Sequence, residues 1–277
     1  MLKSLLRGMR FRSGLSYNLL AILSTIYSAS ISGNHNPLKI FLIIMFMLFS
    51  IRLAFLVNNL YDVKEDKKHP EGVKKNPFIY LNNEEILKAK MIVIVIAICS
   101  IAIFHLIFQI FSATLLYAFL LLLDIIYSAP PRLKEKPPFD LFSHSLYFGS
   151  LLVFIPLLLY HIRIDLKLAS ILVGVSLISI AMELGNHISD YEYDKRAGVK
   201  TFSTRFGEGF SNIVLKVSYL LGISFLLATI FITLTPLVLI LIFLIGLVYS
   251  LNSLFLSKTC GIVVNVIMIF YIIISML

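Results

Sequence analysis

Residues 40–70 read IFLIIMFMLFSIRLAFLVNNLYDVKEDKKHP, an apolar run interrupted by Arg52 that ends in Asn58, Asp62 and Asp66. About 20 mostly apolar residues are enough for a helix to cross a bilayer. The run therefore predicts a membrane span whose end carries three oxygen-bearing side chains. A spacing of four keeps them on one helix face, with neighbours about 6 Å apart. Carboxylates stacked this way repel and are costly near a bilayer, so something positive must hold them. The pattern returns once. Residues 186–198 read NHISDYEYDKRAG, and Asn186, Asp190 and Asp194 repeat N-x3-D-x3-D 128 residues further on, again where an apolar run ends. Carboxylate and amide oxygens are hard ligands, and Mg²⁺ typically takes one or two carboxylates together with substrate phosphates. Two facing ladders predict a two-sided Mg²⁺ clamp on a diphosphate.

The rest of the chain fits a membrane setting. Of 277 residues, 59% are hydrophobic and 14% charged, with a mean hydropathy of +0.94. Soluble domains run at about 45–50% apolar and about 25% charged, so a soluble globular fold is excluded. Cys99 and Cys260 both sit in apolar runs and read as packing thiols. Nine candidate spans follow, at roughly 15–33, 38–61, 88–108, 111–128, 140–160, 167–189, 211–233, 236–255 and 259–276. Turn signals separate them at GNHNP (33–37), SAPP (128–131), KPP (136–138) and TP (235–236). The weakest separation falls around Gln109 to Ser112.

Charge orients the chain. A net charge of +9 would suggest nucleic acid in a soluble protein. Here it reads as the enrichment of Lys and Arg in cytoplasmic loops, and no nucleic-acid partner is expected. With the N-terminus cytoplasmic, 20 of the 24 Lys and Arg lie on the cytoplasmic side, and Lys39, Arg163 and Lys167 lie opposite. Both ladders then share the cytoplasmic side, and nine spans leave the C-terminus outside. The basic, amphipathic opening MLKSLLRGMRFRSG runs into a full-length span, so no cleaved signal peptide is expected.

Basic loops follow each ladder: Lys67, Lys68, Lys74 and Lys75 after the first, Lys195, Arg196, Lys200 and Arg205 after the second. Between the fourth and fifth spans, YSAPPRLKEKPPFD (127–140) adds Arg132, Lys134 and Lys136. Such cations would crowd around metal-bound phosphate oxygens. Lys134, Arg132, Lys195, Lys200 and Lys67 are the candidate diphosphate contacts, Lys134 foremost because flanking prolines limit where it can point. Three charges lie inside spans, where ionisable groups are functional candidates by default: Arg52, Asp124 and Glu183. Glu183 shares the second ladder's face one to two turns deeper. It either faces the cavity and removes a proton from an acceptor, or pairs with Arg52. Asp124, one turn before Tyr127, is expected to pair with a nearby lysine. His69, His144 and His187 form no metal-spaced cluster, and His187 is turned about 100° off the ladder face, so no zinc site is expected.

With NNLYDVKED (58–66), YSAPPRLK (127–134) and DYEYDKRAGVKT (190–201) at these positions, the chain resembles the UbiA superfamily of intramembrane prenyltransferases over its whole length. The resemblance implies one all-α domain over 1–277: nine transmembrane helices in a ring around a central cavity, open laterally to lipid and capped by cytoplasmic loops. The repeated motif marks two pseudo-related halves, about 38–128 and 167–255. The implied activity is Mg²⁺-dependent transfer of an isoprenyl group from an allylic isoprenyl diphosphate to a lipophilic acceptor within the membrane, with release of diphosphate. Carried over by motif, Asn58, Asp62, Asp66, Asp190 and Asp194 would hold two Mg²⁺ ions, and Asn186 would extend the second motif. Tyr127 and Lys134 match the family's Tyr and Lys. Asp62, Asp190, Glu183 and Tyr127 are the catalytic candidates. Where many members acting on aromatic acids or glyceryl phosphates carry an Arg-Pro-rich stretch, this chain has KKHPEGVKKNPF (67–78). That is closer to branches that include carotenoid (lycopene) elongases.

Two other readings use acidic ladders. Membrane phosphotransferases acting on CDP-alcohols carry D-G-x2-A-R, which does not occur here. A transporter or ion-binding protein could use the ladders as a cation site, but such sites favour broken helices at the midplane. These ladders stand at helix ends beside basic loops.

Overall fold

Helix ends fall where the sequence supplies caps. α1 (Leu2–Gly8) precedes α2 (Leu15–Ser32), which stops at Gly33 with φ 67°, a left-handed conformation that glycine adopts without strain. Asn36 accepts from the backbone of Leu38 and Lys39, and Pro37 opens α3 (Pro37–Tyr61). The short α4 (Val63–Asp66) and α5 (Pro70–Lys75) follow. Asn82 and Glu85 form a capping box at α6 (Asn83–Phe108). Gln109, at φ 53°, turns the chain, and α7 (Phe111–Ser128) begins two residues later, so the least distinct boundary of the sequence is a real one.

A 3₁₀ turn at Leu133–Glu135 leads to α8 (Phe139–Ser145). One π turn, Leu146–Ser150, joins α8 to α9 (Leu151–Leu159), so this span is not the uninterrupted α-helix that hydropathy implied. Then come α10 (Leu166–Ser189), capped by Asp165, α11 (Tyr191–Ala197), α12 (Phe202–Phe206), α13 (Glu208–Phe231) and α14 (Ser253–Met276). The computed structural model describes residues 1–11, 13–68, 70–231 and 253–276, and no strand occurs among them.

Among the described residues, seven helical segments are long and apolar enough to cross a membrane: α3, α6, α7, the unit Phe139–Leu159, α10, α13 and α14. The expected first span, α2, has the length but is diluted by Ser, Thr and Tyr. Its buried Ser24, Thr25 and Ser28 bond main-chain carbonyls. The candidate span 236–255 lies outside the described residues except for its last three positions.

Packing closes a circuit: α2 touches α3, α3 touches α7, α7 touches α8 and α9, α8 touches α10, α10 touches α14, and α14 returns to α2. Close approach at the last two contacts depends on glycine. Gly185 of α10 lies against Ser257, and Gly261 of α14 lies against Ser16, with no space for a Cβ at either. Outside the circuit, α6 buries one stripe, Ala89, Val93, Ala97, Ser100 and Phe104, and exposes Leu87, Met91, Ile94 and Ile98. Such a face suits lipid. Cys99 is exposed on this helix, whereas Cys260 packs inside.

Pro156 interrupts α9 and cannot donate to the carbonyl of Leu152. Ser24 of α2 donates to that carbonyl at 2.8 Å, which restores the lost bond from a neighbouring helix.

Candidate active site

The two ladders share a backbone feature that residue spacing did not reveal. Asp62 ends α3 with φ −96° and ψ 13°, and Asp190 ends α10 with φ −99° and ψ 3°. Each ladder therefore bends at its middle residue instead of continuing as one straight helix face. The helical bonds persist across the bend: Asp66 N donates to Asp62 O at 2.8 Å, and Asp194 N to Asp190 O at 2.9 Å. Each last aspartate is re-aimed at no cost in main-chain hydrogen bonds.

The ladders face one outer chamber of about 660 Å³, lined by Asn58, Asp62, Asp66, Asp190 and Asp194 together with Lys134, Arg132, Arg10, Lys68, Lys75 and Arg196. Lys134 pairs with Asp62. Arg132, at φ 58°, sits 3.4 Å from both Asp62 and Glu65 and donates to Glu135 at 2.7 Å. Asp66 accepts from Asn76 at 2.7 Å. Three expected phosphate contacts are elsewhere. Lys67, Lys195 and Lys200 are exposed and line neither this chamber nor the one beneath it. Lys67 and Lys195 each follow a ladder aspartate by one residue, about 100° around the helix, and so point away. Lys195 lies over the Tyr191 ring, and Lys200 lies beside Thr204 and Arg205.

Electrostatics suit a divalent ion. Burial, then the charge of Asp190, pushes the Asp194 carboxyl up to about 6. Burial also raises Asp66, against the hydrogen bond from Asn76. At Asp66 and Asp194, burial and the neighbouring carboxylate outweigh what nearby cations and hydrogen bonds offset. Among the described residues no three Asp, Glu, His or Cys converge tightly enough to hold an ion by themselves. That fits Mg²⁺, which completes its shell with water and phosphate oxygens.

Beneath lies an inner chamber of about 360 Å³. Arg10, Asn58, Lys134, Asp190 and Asp194 line both chambers, so the two communicate. Tyr17, Phe55, Tyr127, Tyr147 and Phe148 supply its aromatic walls, with Tyr17 stacked on Phe148 at 4.2 Å. Glu183 accepts from the Tyr127 hydroxyl and from Asn186 at 2.9 Å. Its oxygens stand 3.3 Å from both His144 Nε2 and His187 Nε2.

The pairing of Glu183 with Arg52 does not form. Arg52 donates instead to the carbonyls of Arg10 at 2.8 Å and Ser13 at 3.1 Å, and to Asn18, which ties the N-terminal segment to α3. Nor does Asp124 pair with a lysine: its Oδ2 is buried with no hydrogen-bond partner among the described residues. His187 is not turned away from the chemistry, since it sits four residues after Glu183 and meets its carboxylate.

Sequence reading missed Arg10, Tyr17, His144, Tyr147 and His187 as site residues. The i,i+4 spacing from Glu183 could have revealed His187. Arg10 reaches the site because its side chain pairs with Asn59, which donates in turn to Gly8 O at 2.7 Å. His69 lies outside the described residues.

Two connected chambers thus lie inside a helical membrane circuit, the outer one acidic and ringed by cations, the inner one walled by aromatic rings. The chain belongs to the UbiA prenyltransferase family, whose model matches residues 19–270. Among solved structures it is similar to a UbiA homologue from Archaeoglobus fulgidus bound to DMAPP and Mg²⁺, with TM-score 0.70, 18% identity and 99% of each chain covered. It is also similar to a digeranylgeranylglyceryl phosphate synthase, with TM-score 0.72, 16% identity, and 99% of this chain and 98% of that one covered. An apo UbiA homologue from Aeropyrum pernix K1 gives TM-score 0.67 at 16% identity, over 95% of this chain and 99% of that one. No curated protein matches the chain by sequence.

Proposed function

We propose that this chain transfers an isoprenyl group from an allylic isoprenyl diphosphate to a lipophilic acceptor within the membrane, releasing diphosphate. One observation carries the reading: Asp62 and Asp66 of one ladder and Asp190 and Asp194 of the other line a single chamber with Lys134 and Arg132. Relatives of the same fold bound to DMAPP or GPP with Mg²⁺ support a donor of that class. Asn58, Asp62, Asp66, Asn186, Asp190 and Asp194 would hold two Mg²⁺ ions, which supply neutralisation of the diphosphate when bound.

The remaining work falls to the chain. Lys134 and Arg132 offer fixed positive charge where the leaving diphosphate gains negative charge as its C–O bond lengthens. Arg10 adds a third cation between the chambers. The aromatic walls of the inner chamber exclude water from the allylic cation, and their ring faces favour it. Glu183 has no oxygen open for direct proton abstraction, because four side chains occupy the pair. Tyr127 therefore touches the acceptor, taking its proton on Oη as its own proton passes to Glu183. His144 and His187 hold that carboxylate in position. The bias of basic residues puts the N-terminus and the outer chamber on the cytoplasmic side.

The test is release of diphosphate by the purified full chain from allylic diphosphates of dimethylallyl to geranylgeranyl length, with Mg²⁺ and a membrane-lipid extract as acceptor source. Mg²⁺-dependent release that Asp62→Ala and Asp190→Ala each abolish supports transfer. Absence of release from every donor overturns it and favours cation transport through the ladders.

A further inference from the structure

Prenyl transfer as derived above leaves one group of the inner chamber without a task. Asp124 on α7 is 2% exposed. Asp124 is one of the residues lining the chamber, with Ala54, Tyr127 and Tyr147. Its Oδ2 is buried, and no hydrogen-bond or ion-pair partner reaches it among the described residues. Glu183, another carboxyl of this chamber and also buried, has four partners by contrast.

An unpaired buried polar group costs about tenfold or more in an equilibrium constant, so a ligand that supplies its partner recovers that factor. Asp124 lies three residues before Tyr127, about 4.5 Å further along the helix from the ladders. An isoprenyl diphosphate cannot supply the partner, since its polar end belongs at the ladders and its tail is hydrocarbon. The partner must come from the second substrate. A hydroxyl is the neutral group that suits a carboxyl in either protonation state, because it donates to the carboxylate and accepts from the acid.

We propose that Asp124 recognises a hydroxyl group on the acceptor, so that the site selects hydroxylated lipids over hydrocarbons of the same skeleton. The inference rests on the prenyl-transfer reading only in calling this ligand the acceptor.

The experiment uses the full chain in nanodiscs, with the donor position filled by Mg²⁺ and dimethylallyl S-thiolodiphosphate. Phytol or phytene, the same skeleton without oxygen, is titrated while thermal unfolding is followed. Phytol is expected to reach half-effect at a membrane concentration about tenfold lower than phytene. Asp124→Leu abolishes the preference while thiolodiphosphate binding persists, and Asp124→Asn, which keeps a hydrogen-bonding side chain, retains it. Equal effects of phytol and phytene on the wild-type chain, or a preference that survives Asp124→Leu, overturn the proposal. Failure of the thiolodiphosphate to bind wild type counts against prenyl transfer instead, and the comparison of phytol with phytene is then read without it.

Discussion

Lowering the pH from 7 to 5 should weaken divalent-metal binding about tenfold, with Asp194 setting the midpoint. Burial and the charge of Asp190 carry this carboxyl from an ordinary 3.8 to about 6. The sign follows from linkage. Between those two values the folded, metal-free chain binds this proton more tightly than the unfolded chain does. This group's contribution to stability therefore falls as pH rises through about 4 to 6 and is flat above. Metal binding needs the carboxylate, so the proton competes. One competing proton with a midpoint near 6 multiplies the apparent Kd by about 11 at pH 5 and by about 1.1 at pH 7. Mn²⁺ serves as a spectroscopic stand-in, with free ion measured by electron paramagnetic resonance over the full chain in detergent, without diphosphate. Asp194→Asn should bind more weakly and lose the pH dependence above pH 5. Wild-type affinity that stays constant to pH 5 and drops only near pH 4 would refute the crowding of Asp194 against Asp190, and with it the electrostatic case for the clamp.

Glu183→Gln should lower turnover about 100-fold while leaving the KM for the allylic diphosphate within about twofold, since it acts through Tyr127 on the proton and not on the donor. Steady-state kinetics separate the two parameters, and a rise in KM alone would place Glu183 in donor binding. Ser24→Ala should lower thermal stability by about 1–2 kcal/mol, because the Leu152 carbonyl loses the donor that replaces the missing N–H of Pro156. The same change in a Pro156→Ala background should cost far less, and equal costs in both backgrounds would show that the serine does not compensate for the proline.

The bundle and both ladders were legible because they rest on short-range rules. Twenty apolar residues have few alternatives in a bilayer, and N-x3-D-x3-D brings three oxygens to one helix end, although the bend at each middle aspartate was not in the spacing. Gln109 likewise ended a helix at the boundary the sequence marked, whereas the capping box at Asn82 began that helix five residues before the expected span. The phosphate contacts were legible only in part. Lys134 and Arg132 line the outer chamber, whereas Lys67 and Lys195 do not, because one residue's rotation decides which way a loop lysine points.

Residue pattern alone determined a helical membrane protein with two matched acidic helix ends among basic loops, since bilayer thickness and helix period act on each segment separately. Tertiary structure decided what those segments meet. Arg52 went to the N-terminal carbonyls, Arg10 came from just beyond the first helix to the mouth of the site, Glu183 collected two histidines and a tyrosine, and Asp124 was left at the inner chamber with its buried Oδ2 unpartnered among the described residues. Each outcome depends on which helices pack side by side, and contacts between residues as distant as Tyr127 and Glu183 leave no local trace in the chain.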